Sequence, residues 1–505
     1  MSTGVVGQLV SISRILLAVA AVLVMVKKGQ AADVTWGGNY RFEGVRIANP
    51  EMSSDKADKT YVLHHLVLNP KVVAADGLTI FSRLDILNSP TYGINSSGQV
   101  NSVAGDILGN GPGTAVSGTG ASATGPASGA DSNSWGRTER AGTVAVTQLY
   151  ASWVQEFGQL VVGRAPVHFG LGTALNAGNG LFDHYIDTRD MVAYKVVLGN
   201  FSVMPILGKI NRGNIGEDGD VNDYIVHAQY ANPDSELSLG FLYDVRIALG
   251  NDTPNGSGAP TLPSYWGNTA TRTGSFRNTL MGFYFSQKAL PNLRASVEAD
   301  LFSGDTGIMY AANGGGTSLN SFGLAAEFAY IPSAESKWGG NFKLGMATGD
   351  DPGTTDVYEG FTFSRNYDVA MLMFNHPLGN RNVDFMRTGL TRDTSTRPAN
   401  QIDSEAISNT MYFAPSFSYQ AKDNLSYGAT LVYALLNKDP IGGGVRTATD
   451  LGYELDFSVT YKPLERLTWI TEAGFLLPGD AWRGGTNAYE NKFVYGLATK
   501  AAISF

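Results

Sequence analysis

The stretch "ELSLGFLYDVRIAL", Glu236 to Leu249, puts Leu237, Leu239, Phe241, Tyr243, Val245 and Ile247 on one side of an extended chain. Ser238, Gly240, Asp244 and Arg246 fall on the other. That period of two makes a strand with one apolar and one wet face. The alternation recurs in "LRASVEADLF", "SFGLAAEFAY", "SKWGGNFKLGMA", "NLSYGATLVYALL", "DLGYELDFSVTYK" and "NKFVYGLATKAAISF". In a soluble sandwich the apolar face packs on a second sheet; in an outer-membrane barrel it meets lipid.

The connections choose between the two. Strands are expected near 34–47, 61–74, 77–88, 142–157, 159–165, 190–198, 200–210, 221–231, 236–249, 276–288, 293–303, 320–332, 336–349, 405–420, 424–436, 450–462, 466–478 and 489–505, each boundary good to about three residues. Short turns such as "GQ", "GN", "NPDS", "LPN" and "KDN" then alternate with long segments rich in Gly, Ser, Asn, Asp and Thr. Short turns on one side, long loops on the other and an even strand number are what an all-β, antiparallel, up-and-down transmembrane barrel of about eighteen strands requires. The last strand alternates through Phe493, Tyr495, Leu497, Thr499, Ala501 and Ile503 to a terminal Phe505, the kind of end that outer-membrane assembly machinery recognises. Trp36, Trp153, Trp338 and Trp469 fall near strand ends or on the apolar face, where interface girdles use aromatic rings.

The 505 residues include 61 glycines and no cysteine, only 16% are charged, and the net charge is -9. Disulfides, thiolate metal sites and cysteine nucleophiles are excluded, and nothing in the balance suits a nucleic-acid partner. Residues 1–31 carry Arg14, the apolar run Ile15 to Val26 and small residues Gly29 and Ala31, and read as an export signal ahead of a barrel at 32–505. Lys27 and Lys28 leave an uncleaved anchor as the alternative, although twelve apolar residues fall short of the roughly 20 that span a bilayer as a helix.

Long loops are expected near 88–141, 166–190, 249–275 and 350–404. The first is dominated by Gly, Ser, Ala and Asn and cannot bury enough apolar surface to order itself. The second, "HFGLGTALNAGNGLFDHYIDTRD", gathers His168, Asp183, His184, Asp187, Arg189 and Asp190 with Phe169, Leu171, Leu175, Leu181, Phe182, Tyr185 and Ile186. Apolar content of that order favours folding into the lumen, where the acids and the arginine would hang over a constriction. No fixed ligand spacing marks the histidines as metal-binding, and no nucleophile motif marks a catalytic centre. The segment after Asp350 has a similar apolar run from Val369 to Phe374 and is expected to tuck in or to form an extra hairpin; Asp350, Asp351 and Asp356 are weighed as calcium ligands but read as solvated turn acids.

Taking the polar parity of each strand, the expected lumen carries ten cations, Arg41, Lys71, Arg83, Lys195, Lys209, Arg246, Arg294, Lys343, Lys462 and Lys500. Ten anions face them: Glu43, Asp85, Glu156, Asp244, Glu298, Asp300, Glu327, Glu454, Asp456 and Glu472. A wall with matched signs holds charge without a large net field.

The closing region, with Gly452-Tyr-Glu-Leu-Asp456 followed by Gly474-Phe-Leu-Leu-Pro-Gly-Asp480, resembles the C-terminal part of the alginate export family, eighteen-stranded outer-membrane barrels. "SRNYDVAMLMFN" from Ser364 is similar to a segment of related barrels. The resemblance implies a substrate-conducting pore and the same strand number. Members that export polyuronate line the pore with excess Arg and Lys, from which this balanced census departs.

The expectation is therefore a Gram-negative outer-membrane channel, porin- or exporter-like, passing hydrophilic solutes or a polymer and narrowed by inward loops, with no cofactor and no enzymatic role. Its partners would be outer-membrane lipid and lipopolysaccharide, the assembly machinery through Phe505, and the solute. A surface adhesion barrel whose loops bind a partner is the alternative. An outer-membrane enzyme ranks last, because no Ser-His-acid set falls in register.

Overall fold

The computed structural model describes residues 33–54, 58–86, 144–211, 221–248, 270–272, 276–310, 315–333, 336–351, 354, 356–376, 378–379, 406–439, 448–483 and 489–505. The expected export signal at 1–31, the loop 88–141, residues 249–269 and 273–275 of the loop expected at 249–275, and residues 380–404 of the loop expected at 350–404 lie outside these residues.

Eighteen strands form the barrel. β1 comprises Asp33–Thr35 and Gly38–Ala48, and β2 comprises Lys59–Leu68 and Lys71–Ala75; each pair of segments acts as one kinked strand, because both segments keep the same antiparallel neighbour. The next are β3 (Leu78–Ile86), β4 (Val144–Gln155), β5 (Gly158–Pro166), β6 (Thr188–Leu198), β7 (Phe201–Asn211), β8 (Val221–Asn232) and β9 (Leu237–Ala248). β10 joins Ala270–Arg272 to Phe276–Leu290. The last eight are β11 (Leu293–Tyr310), β12 (Gly315–Tyr330), β13 (Trp338–Ala347), β14 (Thr410–Lys422), β15 (Leu425–Leu436), β16 (Asp450–Leu464), β17 (Leu467–Pro478) and β18 (Val494–Ser504).

Every strand is antiparallel to its sequence neighbours, and β18 returns to β1 from Asn39↔Ser504 to Ala48↔Tyr495, so the sheet closes. Phe505 seals the seam by exchanging backbone hydrogen bonds of 3.0 Å with Gly38 in both directions. Closure joins the first strand to the last, so the ring has no terminal edge strand.

The strand number, the turn parity and the all-β class are those expected from the alternation. One region differs. The alternation ends strands at 303 and resumes at 320, yet β11 and β12 run on to Tyr310↔Gly315 as a hairpin. Gly304 at φ +125° and a register shift between Asp305 and Met309 break the side-chain period there, so the pattern fades although the backbone ladder continues.

The outward side is an apolar belt: Leu239, Phe241, Tyr243, Phe283, Phe285, Leu431, Tyr453 and Leu455 are all exposed. Trp36, Trp338 and Trp469 are exposed near the ends that carry the short turns; Trp338 packs against Tyr419 with ring centroids 4.7 Å apart. The buried core lies inside the barrel. Leu242, which interrupts the wet face of β9, is fully covered there, because a ring this wide leaves space that wall side chains alone do not fill and two loops enter it.

Candidate functional site

Loop A runs from Val167 to Asp187 between β5 and β6. Backbone bonds from Val167 N–H to the Asp187 carbonyl (3.1 Å), Phe169 to Leu175 (3.0 Å) and Asp187 to Asn176 (3.0 Å) fold it on itself. Phe169 lies on the inward glycines of β9 and β10, where a Cβ at Gly282 would come within 2.6 Å of its ring and one at Gly240 within 3.1 Å. The carboxylate of Glu298 on β11 accepts three successive N–H groups, of Leu171, Gly172 (3.0 Å) and Thr173 (3.3 Å), while the Thr173 hydroxyl donates to Asp300 (2.6 Å). Gly170 (φ +53°) and Gly172 (φ +81°) supply the left-handed turns that point those donors one way. From another part of the wall, Arg83 donates to the Gly178 carbonyl (2.8 Å) and Arg41 to that of Asp183. Loop A is thus pinned to the wall at β1 and β3 as well as at β11.

Loop B connects β13 to β14. Its segment Met371 to Met373 gives N–H groups to Asp456 (Met371, 3.0 Å) and Glu454 (Leu372, and Met373 at 2.8 Å) on β16. A Cβ at Gly474 would sit 2.9 Å from the Met371 sulfur, and one at Gly496 would sit 2.6 Å from Leu372. The motif "SRNYDVAMLMFN", remote in sequence, therefore meets the hairpin motifs "GYELD" and "GFLLPGD" as one loop anchor. Lys343 donates to the Asp368 carbonyl (3.1 Å), and the Tyr367 hydroxyl to Glu327 (3.1 Å).

The loops interlock. The Asn366 side-chain oxygen accepts the N–H groups of His184 and Tyr185 (both 3.2 Å), its amide donates to the Tyr185 carbonyl (2.8 Å), and Ser364 N–H donates to the Thr173 carbonyl (2.6 Å). The Arg365 guanidinium lies 4.7 Å above the Tyr185 ring.

The structure assigns the sequence candidates several places. Glu43, Lys343, Asp456, Glu472, Asp183 and His184 border a lumenal cavity of about 460 Å³ together with Arg365, Asp368 and Lys500. Four of these charges are held in ion pairs, Glu43 with Arg41 (3.1 Å), Lys343 with Glu327 (3.2 Å) and Lys500 with Glu472 (2.8 Å), and outside the cavity Arg83 pairs with Asp85 (3.2 Å). Glu298, Asp300 and Glu454 are buried under the loops as anchors and are not lumen charges. Asp244 and Arg246 are also buried, and Arg246 joins Arg189 in clamping Asp223 at 2.8 and 2.7 Å.

Arg294 sits at the turn end of β11 and is paired with Glu236 (2.7 Å). Asp190 departs from the expectation: the β6 ladder turns it outward, where it holds Arg164 through two bonds of 2.7 and 2.9 Å, and Lys209 lies opposite it on β7. Asp187 does not hang over the passage either. It is buried and accepts Asn176 N–H (3.0 Å), and burial pushes its carboxyl up to about 6. Of the three loop acids, Asp183 alone borders the cavity.

His184 faces Glu43 at 3.1 Å with its pKa lowered by burial, and His168 is similarly lowered and accepts Ala177 N–H (3.4 Å). Asp350 accepts Glu359 N–H (2.9 Å) and Asp351 faces Lys438 at 3.6 Å, so these two are spent on local contacts. Among the described residues no group of three His, Asp or Glu side chains is placed to hold a metal ion.

Two inward groups were missed in the sequence. Asp223, on "VNDYIVH", is found by the parity that buries Ile225; His65, in "VLHHLVL", by the parity that buries Leu63 and Val67. His65 Nε2 lies 2.6 Å from Asp85, which also accepts from the Thr147 hydroxyl.

No family model matches the chain, and no curated protein does. Among solved structures, the chain is similar to Pseudomonas aeruginosa OccK8 (OprE), with TM-score 0.49 and 10% identity, covering 94% of this chain and 98% of that one. For P. aeruginosa OccK9 (OpdG) the values are 0.48, 11%, 94% and 99%. For OmpT, an outer membrane protein of Vibrio cholerae, they are 0.37, 10%, 95% and 100%.

Proposed function

We propose that this chain is an outer-membrane channel for small hydrophilic solutes, constricted by loops A and B. The observation that carries the reading is the cavity of about 460 Å³ inside a closed barrel, bounded on one side by the wall of β13 to β18 and β1 and on the other by the two interlocked loops. The apolar belt outside suits lipid, and the turn-end indoles suit the interface below it. Loops held to the wall by buried carboxylates narrow the bore, and a narrowed bore selects by size and by polar complementarity. A bulky polymer fits this interior poorly. Glu43, Glu472, Lys343 and Lys500 are held in ion pairs, which limits the net field that the cavity wall puts on a passing ion.

Purified protein in a planar bilayer should give discrete conductance steps, with reversal potentials in a salt gradient close to zero. A silent bilayer from folded protein would favour a surface anchor instead, and a large reversal potential of either sign would overturn the paired-charge account.

A further inference from the structure

Below loop A, toward the turn end, lies a second chamber of about 190 Å³ against β1 to β4. Arg41 and Asp183 stand at its loop side, and Phe81 and Tyr150 form its floor, stacked side by side with centroids 5.1 Å apart and planes 16° from parallel. Its two arginines are already engaged, Arg41 with Glu43 and the Asp183 carbonyl, Arg83 with Asp85 and the Gly178 carbonyl. The two arginines therefore present little uncompensated positive charge to an anion, and the further cation near the floor, Lys71, has its ammonium 5.4 Å from the Phe81 ring centroid.

Two buried atoms on its lining side chains, His65 Nδ1 and Gln148 Nε2, have no hydrogen-bond partner. His65 Nε2 is directed to the Asp85 carboxylate, which can only accept, so Nε2 carries the proton and Nδ1 is left as a lone-pair acceptor with nothing donating to it. Gln148 Nε2 is a donor with no acceptor. Leaving such groups buried and unmatched is costly, and in ligand sites they mark where a ligand completes the set. A hydroxyl donates one hydrogen bond and accepts others; it answers both deficits at once, where a carboxylate would meet the histidine lone pair with repulsion. A ring that is apolar on its face and hydroxylated at its rim also matches an aromatic floor rimmed by Asn39, Asn69 and Asn179.

We propose that this chamber is a binding subsite for a neutral polyhydroxylated solute, a monosaccharide or cyclic polyol, on the route of transport. The proposal rests on the channel reading for its role but not for its binding, and the two are tested separately. Folded protein in detergent is titrated calorimetrically with a panel of neutral hexoses, pentoses and inositol, and with sodium benzoate as the anionic comparison. The same solutes are then added to single channels.

The expected result is saturable binding of at least one neutral solute and none of benzoate, with transient current blocks by that solute. Gln148→Leu and Tyr150→Leu, each checked for heat-modifiable mobility as folded barrels, should weaken binding about tenfold, the equivalent of one lost hydrogen bond or stacking face. Binding of benzoate with no neutral solute, no binding by any of the panel, or full binding in both variants would overturn the subsite. Binding without conductance would leave the subsite standing and overturn the channel.

Discussion

Loops A and B enter the barrel from opposite halves of the sequence, and the wall seats both by one device: a Glu-x-Asp pair on a strand whose Glu catches successive backbone N–H groups and whose Asp takes a neighbouring donor, the Thr173 hydroxyl in loop A and the Met371 N–H in loop B, while two glycines on neighbouring strands make room for the side chain that lands there. The difference lies in reach. Glu298 catches three N–H groups while Arg41 and Arg83 hold the far side of loop A, so that loop bridges the lumen. Glu454 catches two and Asp456 one, and loop B lies along β16 to β18 and β12 to β13. An acid on the inward parity of a barrel strand is therefore not evidence of a charged pore. It can serve as a socket for a loop, and the chain uses Glu298, Asp300 and Glu454 that way.

The ring on which both loops depend supplies the largest expected effect. Deleting Asn491 to Phe505 removes β18, opens the edges of β1 and β17, and should abolish the heat-modifiable folded band in the membrane fraction. A folded barrel from this deletion would mean that the ring closes some other way.

The next experiment sharpens the comparison between loops. Glu298→Ala strands three donors at roughly 1–3 kcal/mol each, and Glu454→Ala strands two. Both should make single-channel current noisy with excursions to higher conductance, Glu298→Ala more often; Gln substitutions, which keep an acceptor, should do so less. Equal noise from the two alanine variants, or none, would break the proposed ranking of the anchors.

A smaller and pH-dependent difference belongs to loop A. Asp187 titrates near 6 in the seated loop against an ordinary 3.8. Between these values the seated form holds a proton that the unseated form has lost, so seating is strongest below about pH 4, weakens as pH rises to about 6, and is level above that. The swing is on the order of 3 kcal/mol. High-conductance excursions should grow more frequent across this window in the wild type and not in Asp187→Asn, as long recordings at stepped pH will check; a profile unchanged by the substitution would remove Asp187 from the account.

The sheet was legible because alternation and turn parity are properties of the backbone, repeated eighteen times. Loop A's inward fold was legible from Phe169, Leu175 and Ile186, which an exposed loop would not carry. The roles of the acids were not. Parity places Glu298 and Asp244 inside but cannot say whether a loop from a third of the barrel away arrives to cover them, because that partner is fixed by tertiary packing. Asp190 was misplaced for a local reason: β6 begins at Thr188, and ladder parity takes over two residues before the loop pattern ends. His65 was overlooked beside the outward His64, where two histidines in sequence hide a change of face.

The central claim is that loop A narrows the passage. Replacing Leu171 to Tyr185 by a short Gly-Ser link removes the portion that Glu298, Arg83 and Arg41 hold, while leaving every strand of the ladder intact. Single-channel conductance of the folded variant should rise severalfold in steady, quiet steps. Conductance equal to that of the wild type would contradict the claim and return loop A to the status of a loop that the current does not meet.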